Sequence, residues 1–341
     1  MIPERAPATA AVSLDAFHDV WPRAFPLDEL RRLLGEHADA LVSEVLARGV
    51  NAPVWSLVDR GGKRWRTTIG RLAYRVAGGA EPEPEPVFEV PELLHNASLV
   101  VDDIEDAATE RRGGPPAHLT HGVPIALNAA NAAYFRALAV LRAHLDDARR
   151  LRALDMLSEE LLAAHLGQAL DLGLGAWLKL GAELRTAHYE LLARAKTGAL
   201  VRIAARLGAI AARADAEVEN ALATWAGELG VAYQIRDDVD DLVLGSSDLE
   251  RGRVTYPLLV LLEDDSQPAR DAARELLDGD AERGGSLATL LEDGALAQRC
   301  LAAARAAGRR AGAALETLAP GPSRDALVAL TDELAAGGEP R

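Results

Sequence analysis

Leu93-Leu-His-Asn-Ala-Ser-Leu-Val-Val-Asp-Asp-Ile-Glu-Asp106 sets an acidic cluster, Asp102, Asp103, Glu105 and Asp106, on what otherwise reads as an apolar helix. The pattern returns 135 residues later, where Tyr233-Gln-Ile-Arg-Asp-Asp-Val-Asp-Asp241 carries Asp237, Asp238 and Asp241. On a helix the first and fifth residues of each cluster share a face, and the second lies about 100° away. Carboxylates gathered on buried helices repel one another and resist desolvation unless cations neutralise them. Hard divalent ions with oxygen ligands, Mg2+ above all, answer that need and retain positions for water or phosphate oxygens. An acidic helix end on a solvated face is the bland reading of one such cluster. Two of them inside apolar helices argue against it.

Working outward, helical patterning dominates. It predicts helices from Leu27 to about Ala47, from Lys63 to Val76, and from about Pro91 to Glu110. Others are expected over 123–145, 150–174, 183–213 and 216–244, with shorter ones across the last 90 residues. The Glu-Pro repeat at 81–86 reads as a stiff solvated linker. No alternating segment demands a sheet. The expected architecture is a single all-α bundle over 1–341 with its site in a central cavity among facing helices. Residues 1–12 read as a disordered lead-in and 337–341 as a tail.

Composition agrees. Apolar residues make up 49% of the 341-residue chain, aromatics only 4%, and the Ala- and Leu-rich remainder favours helix. A net charge of -15 argues against a nucleic-acid partner. One cysteine, Cys300, excludes an internal disulfide framework and suits a reducing, cytoplasmic setting. No apolar run is long enough for stable membrane insertion.

The cations are placed selectively. Of 37 basic residues only Lys63, Lys179 and Lys196 are lysines, so a lysine here suggests a position needing a compact ammonium. Gly61-Gly62-Lys63-Arg64-Trp65-Arg66 puts cations at a helix start, where backbone N–H groups favour an anion. Arg111 and Arg112 follow the first cluster, Lys196 lies within a helical stretch, and Arg253 follows the second cluster. Singly each reads as a solvated surface charge. Jointly they suit two phosphate-bearing groups beside Mg2+. His95, two helical turns before Asp102, points to a diphosphate contact, although a lone histidine is more often a core residue.

In their order and spacing, Gly-Gly-Lys-Arg-Trp-Arg (61–66), the 93–106 stretch, Arg-Arg-Gly-Gly (111–114), Lys-Thr-Gly (196–198), the 233–241 stretch and Gly-Arg-Val-Thr-Tyr-Pro (252–257) resemble the trans-isoprenyl diphosphate synthases. That is the polyprenyl synthetase family, which includes farnesyl and geranylgeranyl diphosphate synthases. The resemblance implies condensation of isopentenyl diphosphate with an allylic diphosphate on a homodimer. It implies three Mg2+ held mainly by Asp102, Asp106 and Asp237, with Asp103, Asp238 and Asp241 orienting ligands or metal-bound water. Arg111, Lys196 and Arg253 would grip the allylic diphosphate, and Lys63, Arg66, His95 and Arg112 the isopentenyl one. Thr197 and Gln234 would turn their dipoles to the developing cation.

Chain length is expected to follow from Ala97 and Ser98, one turn before Asp102, whose small side chains leave the tail tunnel open. Tyr134 and Phe135 are candidates for its floor. A C20 product is favoured, with C25 or longer next. The chain departs from the family pattern in four places. Leu244–Asp248 lacks the usual loop lysine, Arg253 stands where a later lysine is usual, Thr67 stands where proline is common (a change expected to be neutral), and the C-terminus carries no basic signature. Two other functions fit parts of the pattern. A class I terpene cyclase would need neither a second diphosphate site nor Lys63, Arg66 and His95. A non-catalytic regulatory subunit could lose a cluster, and both are intact.

Overall fold

The computed structural model describes residues 14–244, 253–278 and 294–336, which form helices joined by short turns with no strand. In chain order these are α1 Asp15–Val20, α2 Leu27–Leu34, α3 Ala40–Leu46, α4 Ala52–Val58, α5 Trp65–Val76, α6 Glu85–Glu105, α7 Ala117–His121, α8 Val123–His144 and α9 Asp147–Lys179. They continue as α10 Thr186–Ala211, α11 Ala216–Leu244, α12 Tyr256–Leu262, α13 Gln267–Asp278, α14 Ala295–Leu315 and α15 Pro322–Ala336.

Local chemistry explains where these elements begin and end. The expected helix from Leu27 breaks at Gly35, whose φ of 100° is unfavourable for a side-chain-bearing residue. Asp39 starts the next helix by accepting the Val42 N–H at 3.0 Å. The last Glu-Pro pair of 81–86 is the first turn of α6 rather than linker, because proline at the start of a helix loses no bond the helix would have made. At its other end α6 stops at Glu105, short of the expected Glu110. Ala107 enters the left-handed region at φ 49°, and the Ala108 N–H returns to the Asp103 carbonyl at 2.9 Å.

The chain divides into two compact units, Met1–Thr68 with Pro82–Arg150 and Ile69–Glu81 with Leu151–Arg341. In the first, α6 packs on α8 along Ala126, Ala129, Ala130, Ala133 and Ala137, all fully buried. Alanines spaced three or four apart keep that face of α8 thin, so Phe88, Leu93 and Leu94 of α6 are buried. In the second, α11 packs against both α10 and α14. Trp225 is fully buried there and donates its indole N–H to Thr331 Oγ1 at 2.8 Å.

Glycines bring the helices of the second unit unusually close. A Cβ at Gly230 would lie 2.5 Å from the Gly198 Cα, and one at Gly167 would lie 2.4 Å from the Lys196 backbone nitrogen. These contacts set the height at which α9, α10 and α11 present their polar side chains.

Candidate active site

In the first unit the acidic cluster occupies the last turn of α6, the negative end of the helix dipole. Carboxylates there are repelled by the helix as well as by each other, so the position itself calls for cations. Asp103 is buried and bound to Arg111 through Nε at 2.8 Å and Nη2 at 2.7 Å. Burial raises its pKa, and Arg111 opposes that rise. Asp102 and Asp106, four residues apart and partly exposed, occupy the face a ligand can reach.

A tight turn aims the two arginines apart. Arg112 and Gly113 both have positive φ, 51° and 72°, while Arg111 and Gly114 pair across them. Arg111 is thereby sent to Asp103. Arg112 donates to the Leu57 carbonyl at 3.0 Å and to Asn96 Oδ1 at 3.2 Å. Its guanidinium also passes close to Gly62, where a Cβ would meet it at 3.1 Å. Arg60 fixes the turn from outside, donating to the Arg111 and Pro115 carbonyls.

His95 lies among these cations. Burial, followed by the charges of Arg66, Arg112 and Arg111, holds its pKa well below the ordinary value, so it is neutral at physiological pH. Its Nδ1 is buried without a hydrogen-bond partner among the described residues. Arg66 is buried at the start of α5 and lies 4.6 Å from the Trp65 ring centroid. Lys63 is exposed in the turn before it. The structure gathers Arg66, Arg111 and Arg112 around His95, a concentration of positive charge suited to an anion.

In the second unit, Lys196 and Arg253 are both paired with Asp171 on α9, Lys196 Nζ at 2.6 Å from Oδ2. Sequence reasoning missed this aspartate. Its only signal was a carboxylate in the Ala-, Leu- and Gly-rich run after Gln168, whereas the pairing depends on the close α9–α10 approach at Gly167. Arg60 and Asn96 were missed for a similar reason, because their partners lie on other elements.

The close approach of Gly198 and Gly230 places Thr197 Oγ1 2.6 Å from Gln234 Oε1. Gln234 Nε2 then donates to Asp238 Oδ1 at 3.3 Å. Asp238 also accepts the Tyr256 backbone N–H at 2.7 Å and the Tyr189 hydroxyl. Burial pushes Asp238 up to about 7 against these three bonds. It is a buried anchor between α10, α11 and the start of α12. Asp237 and Asp241 are partly exposed on α11.

Of the chain-length positions, Ala97 is fully buried and Ser98 partly exposed, its hydroxyl donating to the His95 carbonyl at 2.8 Å. Tyr134 is enclosed near the α6 terminus, where burial and the charges of Asp102 and Glu105 raise its hydroxyl pKa to about 12. Phe135 is 72% exposed, so it lines no apolar interior of its own unit. The loop lacking the family lysine lies largely outside the described residues, and the C-terminal tail and the N-terminal lead-in lie wholly outside them.

Residues 48–293 match the family described as polyprenyl synthetase. The chain belongs to the polyprenyl synthetase family. It is 37% identical over 220 residues to a geranylfarnesyl diphosphate synthase of Aeropyrum pernix, which covers 60% of this chain and 67% of that one. A solved geranylgeranyl pyrophosphate synthetase from the archaeon Geoglobus acetivorans superposes with a TM-score of 0.71 at 27% identity, covering 90% of this chain and 96% of its own. A polyprenyl synthase from Caulobacter crescentus, solved with calcium and isoprenyl diphosphate, has the same fold at TM-score 0.73 and 24% identity, covering 96% of this chain and 99% of its own. As a polyprenyl synthetase the chain is a trans-prenyltransferase acting on isoprenyl diphosphates.

Proposed function

We propose that this polyprenyl synthetase condenses isopentenyl diphosphate with an allylic diphosphate to give an all-trans prenyl diphosphate, C20 in preference to C25. One observation carries the reading. Cations occur in two sets, Arg66 and Arg112 around neutral His95 with Lys63 in one unit and Lys196 with Arg253 in the other, enough to bind two diphosphates. A terpene cyclase would need only one. The relatives' names, one for a C20 product and one for C25, favour that range.

The donor set fits Mg2+: it is all carboxylate oxygen, and the α6 terminus disfavours uncompensated negative charge. Asp103 is bound to Arg111 and Asp238 to the Tyr256 backbone, while Asp102, Asp106 and Asp237 are partly exposed and would be the principal ligands, as the family resemblance implies, with Asp241 orienting ligands or metal-bound water. Three bound ions would supply Lewis acidity toward the leaving diphosphate. Arg111, Lys196 and Arg253 hold the allylic diphosphate as its C–O bond breaks heterolytically. The Thr197 hydroxyl donates a hydrogen bond to Gln234 Oε1, so the Thr197 lone pairs and the second lone pair of that amide oxygen remain to face the allylic cation. Lys63, Arg66, His95 and Arg112 hold isopentenyl diphosphate, whose double-bond electrons form the new C–C bond. The proton lost from the adjacent carbon passes to the released diphosphate.

The protein acts as a cytoplasmic homodimer in this reading. Exposed Leu162, Leu166 and Trp177 of the second unit provide apolar surface for the second copy. No described helix is long and apolar enough to cross a membrane.

The test incubates purified protein with Mg2+, isopentenyl diphosphate and C5 to C20 allylic diphosphates, with products read by mass spectrometry. Elongated prenyl diphosphates, abolished by a chelator, are expected. Hydrocarbons formed without isopentenyl diphosphate, or no turnover of any primer, would overturn the reading.

A further inference from the structure

Glu89, on α6, is fully buried although it is not part of either aspartate cluster. Its Oε2 binds the Arg64 guanidinium and accepts the Thr67 hydroxyl at 3.2 Å. Its Oε1 is buried with no hydrogen-bond partner among the described residues. One turn along the same helix, Glu92 is also buried and accepts the Arg66 backbone N–H at 3.2 Å. The two carboxylates thus grip the segment Arg64–Thr67 at three points, two side chains and one backbone group.

That segment needs holding. Arg64 is not glycine yet has φ 46°, a conformation that costs about 1–3 kcal/mol and persists only where its surroundings impose it. The Phe17 ring lies 5.5 Å from its guanidinium carbon and completes the enclosure. Thr67, expected to be a neutral replacement for proline, is instead one of the contacts. A hydrogen bond to Glu89 constrains this first turn of α5 where a proline ring would have done so covalently.

Stability alone does not account for a carboxylate in this place. A buried ion pair recovers little more than its desolvation cost, and apolar residues of the same size often serve as well or better. The pair does supply direction, because it fixes Arg64 and so the flanking residues, Lys63 in the turn and Arg66 on α5.

We infer that Glu89 is a positioning residue for the isopentenyl diphosphate half of the site, fixing through Arg64 and Thr67 the turn that presents Lys63 and Arg66. This rests on the assignment of Lys63 and Arg66 to that diphosphate. Glu89 touches no substrate; it acts by holding the residues that do.

The experiment compares KM for each substrate, and kcat, in the full-length enzyme and in Glu89→Gln, Glu89→Asp, Thr67→Val and Arg66→Ala. Glu89→Gln is expected to raise KM for isopentenyl diphosphate about tenfold, equivalent to about 1.4 kcal/mol. KM for the allylic diphosphate and kcat should stay within about twofold, a split that general loss of structure would not give. Glu89→Asp, which keeps the charge, should recover part of the loss. Thr67→Val, which removes one hydrogen bond at constant shape, should raise the same constant about fivefold with the allylic KM within about twofold, and decides the matter if Glu89→Gln does not fold. An unchanged isopentenyl diphosphate KM in folded Glu89→Gln, or both KM values rising together, overturns the inference. The parent assignment is read separately: if Arg66→Ala leaves that KM unchanged, the diphosphate site itself is misplaced, whatever Glu89 does.

Discussion

Lys196 Nζ lies 2.6 Å from Asp171 Oδ2, and the same oxygen also binds Arg253, so one carboxylate of α9 holds both cations. The two cations would repel each other without it. Asp171 keeps them in one place, and in the proposed reaction it would yield them to the allylic diphosphate.

Asp171→Asn is accordingly expected to raise KM for the allylic diphosphate about tenfold while leaving that for isopentenyl diphosphate unchanged. Asp102→Ala and Asp237→Ala should act differently, lowering kcat by about three orders of magnitude or more, because their loss falls on the leaving group. Steady-state kinetics with each substrate varied, together with circular dichroism showing unchanged helicity, separates the two effects. Near-wild-type turnover in either alanine variant would refute the metal-ligand assignment.

Product length tests the tunnel. Ser98 is partly exposed and lies one turn before Asp102, so Ser98→Phe should shorten the product by at least one C5 unit. Phe135→Ala should leave the product unchanged, since that ring is exposed rather than at the end of a cavity. Mass spectra of the phosphatase-treated products report both. A longer chain from Phe135→Ala would restore it as the floor.

Gly230 has no room for a side chain against Gly198. Gly230→Ala forces a Cβ to within 2.5 Å of backbone and should cost about 1–3 kcal/mol in thermal or denaturant unfolding. The same displacement separates Thr197 from Gln234, so kcat should fall in whatever protein remains folded. A stable, fully active variant would show that the helices are not in contact there.

His95 carries a pH dependence with a definite sign. Its folded pKa is depressed, first by burial and then by Arg66, Arg112 and Arg111, below the unfolded value of about 6.5. Its contribution to stability is therefore complete above about pH 6.5 and is lost as pH falls toward the folded pKa. Tm should drop between about pH 7.5 and 5.5 more in the wild type than in His95→Asn. Inorganic diphosphate should offset part of the drop by screening the three arginines. An equal drop in both proteins would remove His95 from the cationic cluster.

Much of this was legible before any fold was known. The α6 cluster, the Lys63–Arg66 turn, Arg111 and Arg112 are local features whose spacing carries their chemistry. What was not legible involved partners distant in the chain. Asp171 looked like one acid in an Ala-rich run, and nothing near Thr67 or Phe135 in sequence told of the Glu89 hydrogen bond or of the exposure of the ring.

Sequence by itself determined the helices, the two carboxylate clusters and the cationic stretches that flank them, since helical periodicity and charge spacing are written within about a turn or two of each residue. Tertiary structure alone decided which carboxylates are committed to protein partners, which cations are paired and where a glycine lets two backbones meet. Those outcomes depend on burial and on contacts between elements tens of residues apart, and burial is what turns Glu89, His95 and Asp238 from ordinary ionisable side chains into fixed parts of a site.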